Sequence, residues 1–179
     1  MEKLLRFSDV LAWPCYQVAR LTGILLLVLT AVILYDVIGR KFFATGSFKL
    51  QELEWHLHGA IAVLSFGYAY LKDAHVRIDI ISSRISKRAK LCMELCAIFL
   101  FLLPFMSLLA WSGYEFAERS FLWSETSNGG VGLSNRWIIK SVIPLSALLT
   151  ILGGLSVALR CLVAFKTPER LSNPFDRNS

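Results

Sequence analysis

The sequence predicts an all-α integral membrane protein with four transmembrane helices and both termini on the cytoplasmic side. Three observations predict it. The chain is 55% hydrophobic and 18% charged, with a mean hydropathy of +0.56, too apolar for the surface a soluble domain of this size must show. Four windows carry no Asp, Glu, Lys or Arg: Leu21–Tyr35, Trp55–Leu71, Leu95–Tyr114 and Ser141–Leu159. Threading the chain through four spans puts 13 of its 19 basic residues on the side of the termini and six on the other. That asymmetry follows the positive-inside rule and orients the chain N-in, C-in.

A helix rises about 1.5 Å per residue and the hydrocarbon core is roughly 30 Å, so a span needs about 20 residues. The last two windows meet this. The first is extended through Asp36-Val37-Ile38-Gly39, and the second reaches back into the turn holding Glu52 and Glu54. The expected spans are 21–39, 52–71, 91–114 and 137–165, within one membrane domain, 1–165.

Residues 1–19 alternate charge and bulk (Leu4, Leu5, Phe7, Val10, Leu11, Trp13, Val18) and read as an amphipathic helix on the inner surface, interrupted at Pro14. The first apolar run lacks a small-x-small site after it, so a cleaved signal peptide is not expected. Asp36 and Arg40 end the first span with i, i+4 spacing. The second span opens on Glu52 and Glu54, where acids suit the helix dipole and, this close to the membrane boundary, also suit contact with a partner subunit.

After the second span comes Asp73-Ala74-His75-Val76-Arg77-Ile78-Asp79. Residues 80–90 then mix isoleucines with Arg84, Lys87, Arg88 and Lys90, a second amphipathic segment whose cations attract anionic headgroups at roughly 1 kcal/mol each. The third span contains Pro104, expected to kink it, and its helix is expected to continue through Glu115, Glu118 and Arg119. The Gly-rich stretch to Asn135 reads as a flexible surface loop. Arg136-Trp137 opens the fourth span, which carries Pro144 and the pair Gly153-Gly154, small residues that allow close helix approach. The 166–179 tail is polar and expected to be unstructured.

Catalytic chemistry has no foothold. His56 and His58 project to different helix faces, and His75 belongs to the opposite side, so a bis-histidine haem is not met. Cys92 and Cys96 have no matching His for zinc; with Cys15 and Cys161 they read as small apolar core residues. There is no phosphate-binding or dinucleotide motif, and the +6 net charge is distributed by membrane side rather than as a nucleic-acid face. No catalytic residue, cofactor or metal site is expected, and no nucleic-acid partner. With no internal repeat and no midplane cluster of charge, the chain does not read as a self-sufficient transporter either. An accessory membrane subunit remains.

Several stretches resemble one family. Asp36-Val37-Ile38-Gly39-Arg40 with Phe43, Gln51-Glu52-Leu53-Glu54-Trp55, His75-Val76-Arg77-Ile78-Asp79, and Arg136-Trp137 with Ile143-Pro144 occur in this order. Together they resemble the small membrane subunit of tripartite ATP-independent periplasmic (TRAP) transporters. Glu54-Trp55-His56 and Gly129-Gly130-Val131-Gly132-Leu133 look most like the branch named for mannitol or chloroaromatic compounds, in which some relatives carry 2-oxo acids.

The resemblance implies a bacterial inner-membrane, multi-pass subunit of a sodium-driven system for uptake of organic acids or similar solutes. Its partners would be the large permease subunit, which holds the substrate and sodium sites, a periplasmic substrate-binding protein, and membrane lipids. The small subunit would brace the moving domain of the large one. Carried over, Asp36, Arg40, Glu52, Glu54, Trp55, His75, Arg77, Asp79, Arg136 and Trp137 would form the subunit interface, and Arg84, Lys87, Arg88 and Lys90 would anchor the chain at the lipid surface. The alternative is a non-catalytic structural subunit of a respiratory or other complex.

Overall fold

The structure is a computed structural model describing residues 1–74, 85–127, 132–167, 171 and 173–175. His75, Arg77, Asp79 and Arg84 lie outside these residues. All regular structure among the described residues is helical, as the composition predicts. The elements are α1 (Glu2–Phe43), α2 (Phe48–Leu64), α3 (Phe66–Leu71), α4 (Lys87–Ala97), a π-helical turn (Ile98–Leu102), α5 (Leu103–Leu122) and α6 (Trp137–Lys166).

Among the described residues three stretches are long and apolar enough to cross a membrane: α1, the continuous Lys87–Leu122 segment, and α6. The segment expected as the second span is divided instead. α2 ends at Leu64 and α3 restarts at Phe66. At the break the Ser65 hydroxyl donates to the Ile61 carbonyl at 2.7 Å, the back-bonding to residue i−4 that bends helices. The Val63 carbonyl is recovered by Ser146 Oγ at 2.5 Å.

α1 differs from expectation too. It runs unbroken through Pro14, so the amphipathic lead is not interrupted there. Pro104 acts in the third span, but through register rather than a break. Proline offers no N–H, and just before it the Leu103 N–H reaches Ile98 O, the wider i→i−5 pairing of a π turn.

Two compact units emerge. One comprises Met1–Gln17, Phe66–Leu108 and Ala147–Ser179; the other comprises Val18–Ser65 and Leu109–Ser146.

In the first unit the backbones of α3 and α6 touch. A Cβ on Gly67 would sit 2.9 Å from the Leu149 carbonyl, and one on Gly153 would sit 3.0 Å from the Gly67 carbonyl oxygen. A Cβ on the neighbouring Gly154 would instead meet Leu102 at 2.8 Å. The adjacent glycines thus admit two different neighbours to one helix. Cys15 and Cys161 are buried here, whereas Cys92 and Cys96 are exposed on α4, so only the first pair are core residues. The tail is not free throughout: Leu171 and Phe175 are buried, and Phe175 meets Tyr70 edge to face at 6.2 Å.

In the second unit α5 packs on α6 through Gly113, where a Cβ would lie 3.0 Å from Pro144. Phe121 and Trp137 meet edge to face at 5.5 Å. α5 stops in a Schellman motif: Glu125 N–H reaches Ser120 O, Ser124 N–H reaches Phe121 O, and Ser124 takes the left-handed conformation with φ 45°.

Candidate functional site

The polar residues of the second unit gather around α2. α2 starts after Ser47 in extended geometry, without a side-chain cap and with no acid in its first turn, so Glu52 and Glu54 lie a turn further along. Glu52 reaches beyond its own helix. Its Oε2 accepts the Leu133 N–H at 2.7 Å, and Oε1 lies 4.0 Å from His56 Nε2. Ser127 N–H pairs with Leu133 O at 3.2 Å. Gly132 fills the gap, since a Cβ there would overlap both the Glu52 carboxylate and the Ser127 side chain. The described ends of the Gly-rich connection are therefore pinned to α2, where the sequence suggests a free loop.

A second tie closes the same connection. Arg136 N–H donates to Glu125 O at 3.3 Å. The Glu125 carboxylate takes a bond from the Lys140 ammonium and lies 3.7 Å from Arg136 Nη1. The Lys140 hydrogen bond holds the Glu125 carboxyl below its usual range, with the Arg136 charge adding to it. Lys140 also sits over the Phe116 ring, 3.9 Å from its centroid. Sequence reading singled out Arg136 but missed Glu125 and Lys140. The available signal was opposite charge flanking a Gly-rich stretch at the two helix ends it joins.

The third cluster joins the end of α1 to α2. Asp36 is 3% exposed and takes a hydrogen bond from Arg40, realising the predicted pair. Asp36, Val37, Arg40, Lys41, Gln51 and Glu54 line an open cleft of about 430 Å³. The other Asp36 oxygen, Oδ1, and Glu54 Oε1 are shut from solvent with no hydrogen-bond partner. Trp55 is 74% exposed and is not drawn into these contacts. The structure thus groups Asp36, Arg40 and Glu54 in one cleft, and Glu52 and Arg136 at the connection.

The first unit holds a network the sequence did not announce. Arg160, buried on α6, donates to Ser8 Oγ at 2.8 Å and Asp9 Oδ1 at 3.0 Å. The Ser8 and Ser156 hydroxyls meet at 2.8 Å, and Ser156 Oγ donates to Ser8 O at 2.9 Å. The clue was an arginine inside a helix expected to run to residue 165. Lys87, Arg88 and Lys90 are exposed on the first turns of α4, which Ser86 caps through Ala89 N–H at 3.3 Å. Among the described residues no group of three or more His, Cys, Asp or Glu side chains is placed to hold a metal ion.

Comparison with known proteins agrees with this architecture. No curated protein and no solved structure matches the chain. A family model, tripartite ATP-independent periplasmic transporters, DctQ component, matches residues 29–164. That stretch takes in the last third of α1, all of α2 to α5 and nearly all of α6, together with both polar clusters around α2. Three apolar helices, polar ties confined to helix ends and crossings, and this match lead to one conclusion: the chain belongs to the DctQ family, the small membrane component of TRAP transporters.

Proposed function

We propose that this subunit braces the large permease subunit of a sodium-driven uptake system fed by a periplasmic binding protein, and that it neither binds the coupling ion nor selects the substrate. The family match across 29–164 carries the reading. The distribution of surface supports the bracing role. Only 6% of the Lys87–Leu122 span window is buried within the chain, against 50% for α6. Such apolar exposure suits lipid and a large membrane partner. The exposed Lys87, Arg88 and Lys90 suit anionic headgroups, the basic asymmetry supports an N-in, C-in arrangement, and the family match supports placement in the bacterial inner membrane.

Exclusion from coupling rests on Ser65. Interrupted helices are where transporters build ion sites, from freed carbonyls and nearby oxygens. Here the Ser65 hydroxyl donates to Ile61 O and the Val63 carbonyl accepts from Ser146 Oγ, so the break leaves no unpaired carbonyl at Val63 from which such a site would start. The test is uptake by the reconstituted three-component system. Ser65→Ala is expected to leave the sodium affinity and Hill coefficient of uptake unchanged. A shift in either, with the complex intact, would overturn the bracing role in favour of a part in coupling.

A further inference from the structure

We propose that the cleft between the end of α1 and the start of α2 is a socket for a guanidinium side chain of the large subunit, seated between Asp36 and Glu54. This deepens, and rests on, the reading of the chain as a subunit that docks on a large permease.

The two acids of the cleft outnumber the donors that reach them. Asp36 and Glu54 line one cleft, and each has an oxygen with no donor and no access to solvent. Buried carboxylate oxygens without donors are costly and uncommon. One cation serves both acids: Arg40 bonds Asp36 and also feels the charge of Glu54. Lys41 lines the cleft as well, but its ammonium lies over the Phe42 ring, 5.7 Å from the centroid. The cleft therefore lacks a hydrogen-bond donor for each of two carboxylate oxygens, one on Asp36 and one on Glu54.

A guanidinium supplies both. It is planar, always charged, and presents donors in a fork that can serve two acceptors at once. A bare metal ion fits less well, because hard cations demand a shell of six or more oxygens. The entry is adjustable. The Arg40 side chain is 43% exposed while Asp36 is 3% exposed, so Arg40 leaves only as an incoming guanidinium takes over its bond to the buried carboxylate. Arg40 can thus swing aside while Asp36 stays fixed in the wall. Gln51, on the rim, can accept from an incoming guanidinium through its amide oxygen or be replaced without touching either acid.

The test uses the full complex in native membranes, with a photo-crosslinking amino acid in place of Gln51. On illumination the large subunit is expected to be captured, at a peptide containing an arginine. Glu54→Gln, which keeps shape and removes charge, is expected to lower co-purification of the large subunit at least tenfold in moderate salt. Replacing the captured arginine by glutamine should cause a similar loss, and combining the two changes should add little more. Crosslinking only to lipid would overturn the socket and assign the cleft to a headgroup amine. Unchanged co-purification of Glu54→Gln would overturn it as well. Both outcomes leave the docking reading standing provided the unaltered chain co-purifies with the large subunit. Failure of the unaltered chain to do so defeats that reading itself. Circular dichroism and gel filtration of Glu54→Gln separate loss of docking from loss of fold.

Discussion

Gly132 is small because Glu52 and Ser127 already occupy the space where a side chain would begin. Gly132→Ala must displace the Glu52 carboxylate from Leu133 N–H or push Ser127 outward. The expected cost is about 1–3 kcal/mol, the range for overpacking a filled site, read as a lower melting temperature in detergent. The Leu133 amide should exchange faster, and unchanged exchange there would show that Glu52 does not hold the connection. Glu125 adds a pH dependence of known sign. Its folded pKa lies below the ordinary 4.5 because Lys140 favours the carboxylate. The stabilisation is fully present above that ordinary value and is lost as pH falls through the lower, folded one. Protection of the Arg136 amide, which bonds Glu125 O, should hold from neutral pH down to about 4.5 and then decline. In Lys140→Met that protection should be weaker at neutral pH and less dependent on acid. An identical profile in the two proteins would remove Lys140 as the cause.

Helices in this chain meet where glycine lets them. Gly67 has the Leu149 carbonyl carbon and oxygen as its neighbours, both 2.9 Å from a built Cβ, whereas Gly23 and Gly59 have nothing within 4 Å. Opposite outcomes follow from one substitution. Gly59→Ala should stabilise by up to about 1 kcal/mol, through helix propensity alone. Gly67→Ala should destabilise by about 1–3 kcal/mol, because backbone atoms cannot step aside as a flexible side chain can. Thermal unfolding of both in the same detergent decides it, and equal effects would show that α3 and α6 do not make this contact. α3 also ends without glycine. Asp73 takes the left-handed position at φ 52°, with Ala74 N–H on Ala69 O and Asp73 N–H on Tyr70 O, the same Schellman pattern that ends α5. Acidic and amide side chains tolerate that conformation better than other non-glycine residues.

For the molecule in its membrane, sidedness is the property to measure. Four crossings place residues 128 and 178 on opposite faces, as the basic asymmetry predicts. In a cysteine-free background, Asn128→Cys and Asn178→Cys should react with an impermeant thiol reagent from opposite sides of sealed vesicles. Four crossings put residue 128 outside and residue 178 inside. Labelling in the reverse sense, 128 from the cytoplasmic face and 178 from the periplasmic face, would mean that the 48–71 region, divided at Ser65, does not cross. The measurement is informative because α2 and α3 are each too short to span alone, while the other three segments each have the length and hydropathy to do so.

The resemblance to TRAP small subunits came from the motifs of the chain. Hydropathy and charge order marked it as a helical membrane protein and located the three segments that are long apolar helices among the described residues, while the fourth expected span, 52–71, is divided at Ser65. The reason is that burial in hydrocarbon acts on each segment separately, so window composition suffices. The Asp36–Arg40 pair was legible for a similar reason, since i, i+4 neighbours meet on any helix. Whatever depends on residues distant in sequence had to come from the tertiary structure. Glu52 is 81 positions from Leu133 and Ser8 is 152 from Arg160, and spacing carries no signal across such gaps. The same holds for Ser65, whose hydroxyl could have been one more solvated midplane oxygen. Packing decided that α6 brings Ser146 to the Val63 carbonyl, so the second segment could break inside an apolar run without leaving that backbone group unpaired.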